Sequence, residues 1–322
     1  MSEIVERVLK GDVRTVARLI SDIDNGLPGV RQILKDLYPH RGRAYVIGVT
    51  GAPGVGKSSL VDRMLGHLRR QGKTVGIIAV DPTSPFSGGA LLGDRIRMQK
   101  HSNDEGVFIR SLATRGHFGG VTQSTRAAID VLDASGKDII IVETVGVGQD
   151  EVEIVKSAHT TVIVVMPGMG DDIQAIKAGI LEAGDIFVVN KSDLEGSDKI
   201  LNDLASMIEM GRSNQGQEAW MPPVLKSEAI HDRGVTELLD EIENHKRHLV
   251  GSGEDMSIWR RGERAREELR ELVKVRLLQE IFDRLVESAE FEEAVESIVE
   301  GRTDPYTASD ELVMPKLRFP ER

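Results

Sequence analysis

Six short runs rich in valine and isoleucine recur through the middle of the chain: Ala44 to Val49, Val75 to Val80, Val107 to Ile109, Ile139 to Val142, Thr161 to Val165 and Ile186 to Val189. Each is too short for a helix and too continuously apolar for a strand with one wet face, so each predicts a strand buried on both sides. Longer amphipathic stretches lie between them, at Ser58 to Arg70, Leu92 to His101, Thr122 to Ala134 and Asp171 to Ala183. Strand and helix therefore alternate, which predicts an α/β fold: a mostly parallel central sheet flanked by helices on both faces. Pro222 to Leu225 reads as a last strand, followed by a helix from Val235 to Leu249.

The ends of the chain have a different texture. Ile4, Val5, Val8, Leu9, Val13, Val16, Ala17 and Ile20 recur at three- and four-residue intervals, predicting amphipathic helix with a break at Gly11. Trp259 to Val299 is rich in Glu and Arg, with Leu269, Leu272, Val273, Val275, Leu277, Leu278, Ile281 and Leu285 at helical spacing. A narrow apolar seam on a charged helix has to be covered, either by its own domain or by a second copy, and pairing is the preferred expectation. The expected organisation is an N-terminal helical segment (1–40), a sheet domain (41–250) and a helical C-terminal dimerisation arm (251–322).

Composition narrows the function. The 322 residues carry a net charge of −11, which argues against a nucleic-acid-coating role because phosphate neutralisation needs a basic surface. With no cysteine, disulfides, thiolate nucleophiles and Cys-ligated metal centres are excluded. Charges at Glu3, Glu6, Arg7, Lys10, Asp12 and Arg14 break the start of the chain, unlike a signal peptide, and no run reaches membrane-spanning length. A soluble cytoplasmic protein with no membrane partner is the expectation.

The 33 glycines need a reason, and the densest functional use follows the first strand. Gly51-Ala52-Pro53-Gly54-Val55-Gly56-Lys57-Ser58-Ser59 runs from strand into helix. Glycines at such a turn let several backbone N–H groups converge on phosphate oxygens, and the helix N-terminus behind them adds a favourable dipole. Lys57 is placed to reach the β- and γ-phosphates and Ser58 to coordinate Mg²⁺. A phosphate loop does not choose the base. Asn190-Lys191-Ser192-Asp193, at the end of a later strand, supplies a carboxylate that fits guanine N1–H and its 2-amino group and would lack partners on adenine. Asn190 is suited to tie this turn to the phosphate loop, and the stem of Lys191 to lie over the purine. Ser227-Glu228-Ala229 closes the last predicted strand and offers backbone contacts to the base.

Two further strands end in carboxylates, Asp81 and Glu143, on the same sheet edge as Lys57 and Asn190. With Ser58, and with Asp94 directly after the glycine-rich stretch Ser84 to Gly93, they form a candidate Mg²⁺ shell of hard oxygens. Their alternative reading is strand-end or helix-capping carboxylates. Gly146 is placed to offer its N–H to the γ-phosphate. Val147 follows, where Ras-like proteins place a water-orienting glutamine, so slow unaided hydrolysis is expected, accelerated by a partner or by movement of the Asp94 loop.

Taken together, Gly51 to Ser59, Asp81-Pro82-Thr83-Ser84, the loop Ser87 to Met98 and Glu143-Thr144-Val145-Gly146-Val147-Gly148-Gln149 resemble the GTPase chaperones of methylmalonyl-CoA mutase, the MeaB/ArgK type. The resemblance covers nearly the whole chain. It implies a SIMIBI-class P-loop GTPase fold, a homodimer, GTP/GDP and Mg²⁺ as ligands, and GTP hydrolysis that gates delivery and protection of adenosylcobalamin on a B12-dependent acyl-CoA mutase, methylmalonyl-CoA mutase foremost. By motif it implies Lys57 and Asp94 as catalytic residues, Ser58, Asp81, Asp94 and Glu143 on Mg²⁺ or water, and Asp193 on guanine. It also implies a mobile loop at Pro167 to Lys177 that reports nucleotide state. The blurred Ser227-Glu228-Ala229-Ile230 departs from the usual guanine-loop sequence. A GTP-dependent assembly or metal-delivery switch without cobalamin is the alternative. Metal delivery fits less well, because the eight histidines are scattered and read as surface residues, His245 and His248 sharing one helical face.

Overall fold

A computed structural model describes residues 2–81, 101, 103–113, 120–144, 158–168, 184–211, 220–251 and 288–314, with helical positions at 262, 265–266, 269–270, 272–278 and 285–286. The chain divides into two units, one of residues Met1–Arg115 and Gly120–Trp259 and one built on Arg260–Arg322.

The first unit holds a seven-stranded sheet: β1 (Tyr45–Thr50), β2 (Val75–Asp81), β3 (Val107–Ala113), β4 (Ile139–Thr144), β5 (Thr160–Val165), β6 (Ile186–Asn190) and β7 (Val224–Ser227). The order is β3-β2-β4-β1-β5-β6-β7 and every pairing is parallel. The chain winds one way from β1 to reach β2 and β3, and the other way to reach β5, β6 and β7. β1 therefore stands at the topological switch point, where the carboxyl ends of the strands open a crevice. The predicted runs all form strands, most extended by a residue or more toward the carboxyl edge. The last strand differs, starting at Val224, because Pro222 and Pro223 have no N–H for the ladder.

Side-chain alternation along the strands builds two faces. Ile47, Val49, Ile77, Ile141, Val162 and Val188 point to one, covered by Leu60, Val61, Met64, Leu65 and Leu68 of α4 (Lys57–Arg70) and by Leu238 and Ile242 of a later helix (Val235–Gly251). Val46, Ile78, Val80, Ile140 and Val142 point to the other, where they meet α1 (Glu3–Leu9), α2 (Val13–Asp24), α3 (Val30–Leu37) and α5 (Gly120–Ala134). The N-terminal helices are thus part of this unit's core, with Val5, Val8, Val16, Leu19, Ile20 and Leu37 all buried. Their break falls at Gly11, whose φ of +74° is left-handed, and Asp12 caps the next helix by accepting from Thr15 N–H at 2.7 Å. Helix α6 (Ser197–Gly211) was not expected. Ile200 and Leu204 on it cover Ile163, Val165, Phe187 and Val189. The helix after β7, α7 (Val235–Gly251), forms as expected. The helical expectation at Leu92 to His101 lies outside the described residues except for His101 itself, and that at Asp171 to Ala183 lies wholly outside them.

In the second unit, α8 (Ala289–Val299) is capped by Ser288 and α9 (Pro305–Val313) by Asp304, which accepts from Tyr306 and Thr307 N–H. Residues 272–278 are helical, and Leu269, Leu272, Val273, Leu277 and Leu278 are exposed while Val275 is buried.

A surface pair fixes the entrance to β3. Asp104 accepts from Arg69 at 2.8 and 2.7 Å and from Gly106 N–H at 2.8 Å. The Arg69 guanidinium first, then the Gly106 amide, hold the Asp104 carboxyl down to about 2. A carboxyl lowered on folding adds stability above the usual carboxylate pKa, and that stability is lost as pH falls toward the folded value. The pair is about one-third exposed, so its contribution is about 1 kcal/mol after screening. Asp104→Asn is expected to melt below the wild type at pH 6, with the gap closing between pH 4 and pH 2. A gap of constant size over that range in calorimetry would contradict the assignment.

Candidate functional site

The carboxyl edge of the sheet gathers those residues singled out from sequence that the structure describes. The turn from β1 into α4 has Gly51, Gly54 and Gly56 at φ of +150°, +83° and +95°. Two of these positions admit only glycine for a second reason. A Cβ on Gly51 would stand 2.1 Å from the Val164 carbonyl oxygen, and one on Gly56 would stand 2.3 Å from Asn190 Nδ2. Val55 is wholly buried and anchors the turn in the core, while Pro53 and Gly54 are exposed at its tip. Ser59 and Ala52 are half-buried beside it. Lys57, the first residue of α4, is buried and folds back so that Nζ donates to the Gly51 carbonyl at 2.6 Å and the Ala52 carbonyl at 2.9 Å. A cation is thus held at the mouth of a helix N-terminus, the position where a helix dipole favours an anion.

Ser58, next on α4, donates its hydroxyl to Glu143 Oε1 at 2.6 Å. Glu143 comes from β4, the neighbour of β1, in register with Val49, and is buried. One residue on, Thr144 donates to Thr50 Oγ1 at 2.8 Å and locks the two strand ends together. Asp81 closes β2, paired with Ala113 of β3. The Asp81 side chain, Asp94, Gly146 and the Pro82 to Lys100 segment lie outside the described residues. So does Met169 onward in the expected mobile loop, of which Pro167 and Gly168 are described.

The base-side elements come together at the ends of β6 and β7, where Asn190 is in register with Ser227. Asn190 is buried and uses both ends of its amide. Nδ2 donates to the Val55 carbonyl of the phosphate loop at 2.8 Å, while Oδ1 accepts from Ser227 Oγ at 3.0 Å and from Ala229 N–H at 3.1 Å. One side chain therefore joins three segments far apart in sequence. Lys191 is half-buried at φ +55°, a left-handed conformation that turns the chain so that Asp193 is exposed at the rim. Ser192 N–H donates to the Ser227 carbonyl at 3.1 Å and holds the two turns side by side. Glu228 turns its carboxylate to Arg233 at 3.0 Å and His231 at 3.3 Å, leaving its backbone in the turn.

Sequence reasoning missed the residues of α4 that grip this turn, Arg63 and His67, because neither belongs to a motif. It also misplaced His245. That residue is 1% exposed, meets Thr160 Oγ1 at 2.9 Å, lies 3.4 Å from Asp185 and packs on Trp220, so it belongs to the interior.

With this geometry in view, comparison with known proteins gives one family. A model of the family described as methylmalonyl-CoA mutase-associated GTPase MeaB matches residues 16–285. The chain belongs to this family. It is 47% identical over 319 residues to a Pyrococcus horikoshii protein provisionally named a GTPase, covering 98% of each. It is 33% identical over 289 residues to the GTPase ArgK of Escherichia coli, covering 88% of this chain and 86% of that one. Among solved structures it is similar to a LAO/AO transport system kinase, with a TM-score of 0.69, 26% identity and coverage of 98% and 97%. The molecule is a MeaB-family P-loop GTPase, and its sheet edge carries the loop that defines such enzymes. Among the described residues no helix is long and apolar enough to cross a membrane.

Proposed function

We propose that this GTPase gates the delivery of adenosylcobalamin to a B12-dependent acyl-CoA mutase and protects the loaded enzyme, methylmalonyl-CoA mutase being the partner its family description names. The observation that carries the nucleotide half of this reading is the Asn190 clamp, which joins the phosphate loop to the two turns suited to guanine. GTP would lie with its phosphates over Gly51 to Ser58, met by loop amides and Lys57, and its base between Lys191 and the Ser227-Glu228-Ala229 backbone, with Asp193 accepting from N1–H and the 2-amino group.

The residues present fit Mg²⁺. The Ser58 hydroxyl and Glu143 carboxylate are hard oxygens already in contact at 2.6 Å beside Lys57, and Asp81 ends the next strand out. Ser58, Asp81, Asp94 and Glu143 would hold the ion directly or through water. When bound it supplies neutralisation of charge on the phosphate oxygens. Lys57, Gly146 and the loop amides do the same from the protein side, and Lys57 gains most as charge moves toward the β-phosphate oxygens. Asp94, entering with its loop, would orient the attacking water. With valine at position 147, unaided turnover is slow and the partner sets the rate.

The exposed apolar residues Leu269, Leu272, Val273, Leu277 and Leu278 support the arm as the homodimer contact. A cytoplasmic location goes with this reading.

The test is turnover of GTP by the purified chain alone, with an adenosylcobalamin-dependent mutase, and with unrelated proteins. Stimulation by about tenfold or more with the mutase alone is expected. Equal rates in all mixtures, or stimulation by a partner that binds no cobalamin, would overturn the cobalamin role and favour an assembly or metal-delivery switch.

A further inference from the structure

The turn that follows β7 is gripped by the same helix that carries Lys57 and Ser58. Arg63 of α4 spans two consecutive carbonyls: Nε donates to Ala229 O at 3.1 Å and Nη2 to Ile230 O at 3.0 Å. One helical turn on, His67 Nε2 meets Asp232 Oδ1 at 2.8 Å, and Arg70 lies 3.9 Å from the other oxygen of Asp232. Positions 63, 67 and 70 form one stripe along the helix. The turn they hold is tightly wound, with Asp232 at φ +56° and Glu228 and Arg233 exchanging backbone hydrogen bonds across its base.

Ala229 is consequently fixed on both sides. Its N–H goes to Asn190, which also holds the phosphate loop, and its carbonyl goes to Arg63. Hydrogen bonds from a guanidinium are stronger than neutral ones, and the fork geometry sets direction as well as distance. Without Arg63 the Ala229 and Ile230 carbonyls would lose their donor, and the turn would keep the Asn190 contact, the His67 and Arg70 contacts to Asp232 and its own bridge.

We propose that Arg63, supported by His67, is a specificity-positioning residue: it sets the Ser227-Glu228-Ala229 backbone against the purine while its helix sets the phosphates, so both ends of the pocket are registered on one rigid rod. This rests on the reading of residues 190–193 and 227–229 as the guanine-recognising turns. A merely structural tie would change stability and leave the choice of base alone. A positioning residue changes the choice of base, because discrimination depends on where the recognising backbone stands to within a fraction of an ångström.

The experiment measures dissociation constants for GTP, GDP and ATP, with kcat and KM for GTP, on full-length wild type, Arg63→Met, Arg63→Lys, His67→Leu and Asp193→Asn, with melting temperatures alongside. Arg63→Met is expected to weaken GTP and GDP about tenfold, the loss of one charge-assisted pair, and to lower the GTP-over-ATP ratio by a similar factor. The loss falls on KM rather than kcat. Arg63→Lys recovers part of it, since one ammonium reaches a single carbonyl. His67→Leu moves the ratio the same way by about threefold and serves as the readout if Arg63→Met fails to fold. An unchanged GTP-over-ATP ratio in folded Arg63→Met, or in His67→Leu where the first does not fold, overturns the proposal whatever the melting temperatures. If Asp193→Asn removes the preference while Arg63→Met keeps it, the role of Arg63 falls and the guanine reading stands. If the wild type shows no preference for GTP, both fall together.

Discussion

Replacing Lys57 with methionine is expected to lower GTP turnover at saturating nucleotide by about a thousandfold, the cost of removing a charged donor aimed at the oxygens where charge develops. The stem of methionine fills the same channel, so the change isolates the ammonium. In the structure that ammonium is buried and donates to the Gly51 and Ala52 carbonyls, so a cation stands at the throat of the loop. A triphosphate would draw Nζ away from those carbonyls at little cost, since one set of acceptors replaces another. Two consequences separate this from simple damage. The melting temperature without nucleotide should fall by no more than the loss of two hydrogen bonds explains, since the Gly51 carbonyl is buried and loses its donor. Phosphate release in a single turnover should slow as much as the steady state does. A variant that keeps more than a tenth of the wild-type rate would remove Lys57 from the chemistry.

The second large effect is expected at Asp193. Asp193→Asn keeps the size of the side chain and exchanges one acceptor for a donor, which then faces the guanine 2-amino group. Affinity for GTP should drop by about a hundredfold, two charge-assisted hydrogen bonds being weakened or lost. The residue is exposed at the rim, so folding is not at issue. The decisive arm is a gain. Xanthine carries N1–H and a 2-oxo group, which match the amide oxygen and amide N–H of asparagine, so xanthosine triphosphate should bind Asp193→Asn better than the wild type by a comparable factor. Loss of GTP binding without that gain would mean Asp193 only shapes the turn.

The fold was legible because buried parallel strands announce themselves as unbroken Val and Ile runs, and six such runs with helices between them leave little choice of architecture. What escaped was local. The helix Ser197–Gly211 has Ile200, Leu201, Leu204 and Ile208 at helical spacing but follows directly on the Asn190 to Asp193 turn, whose polar residues masked its start. The proline pair at 222 and 223 moved the last strand because the missing N–H groups outweigh the apolar run. In the site, Lys57, Ser58, Glu143 and Asn190 could be singled out because each has a fixed offset from a strand end, and the structure brings these four to one sheet edge. Arg63 and His67 act across a sequence gap of more than 160 residues, and no local pattern encodes such a partner. His245 went astray for a related reason, since its helical spacing with His248 says which face it shares but not that Thr160, Asp185 and Trp220 wait there.

The measurement that bears most directly on the whole account is a calorimetric titration of the purified chain with GTP and with ATP, each with Mg²⁺. The pocket described above predicts one site per chain with GTP bound at least about a hundredfold more tightly than ATP. ATP taken up as well as GTP, or neither nucleotide taken up, would contradict it.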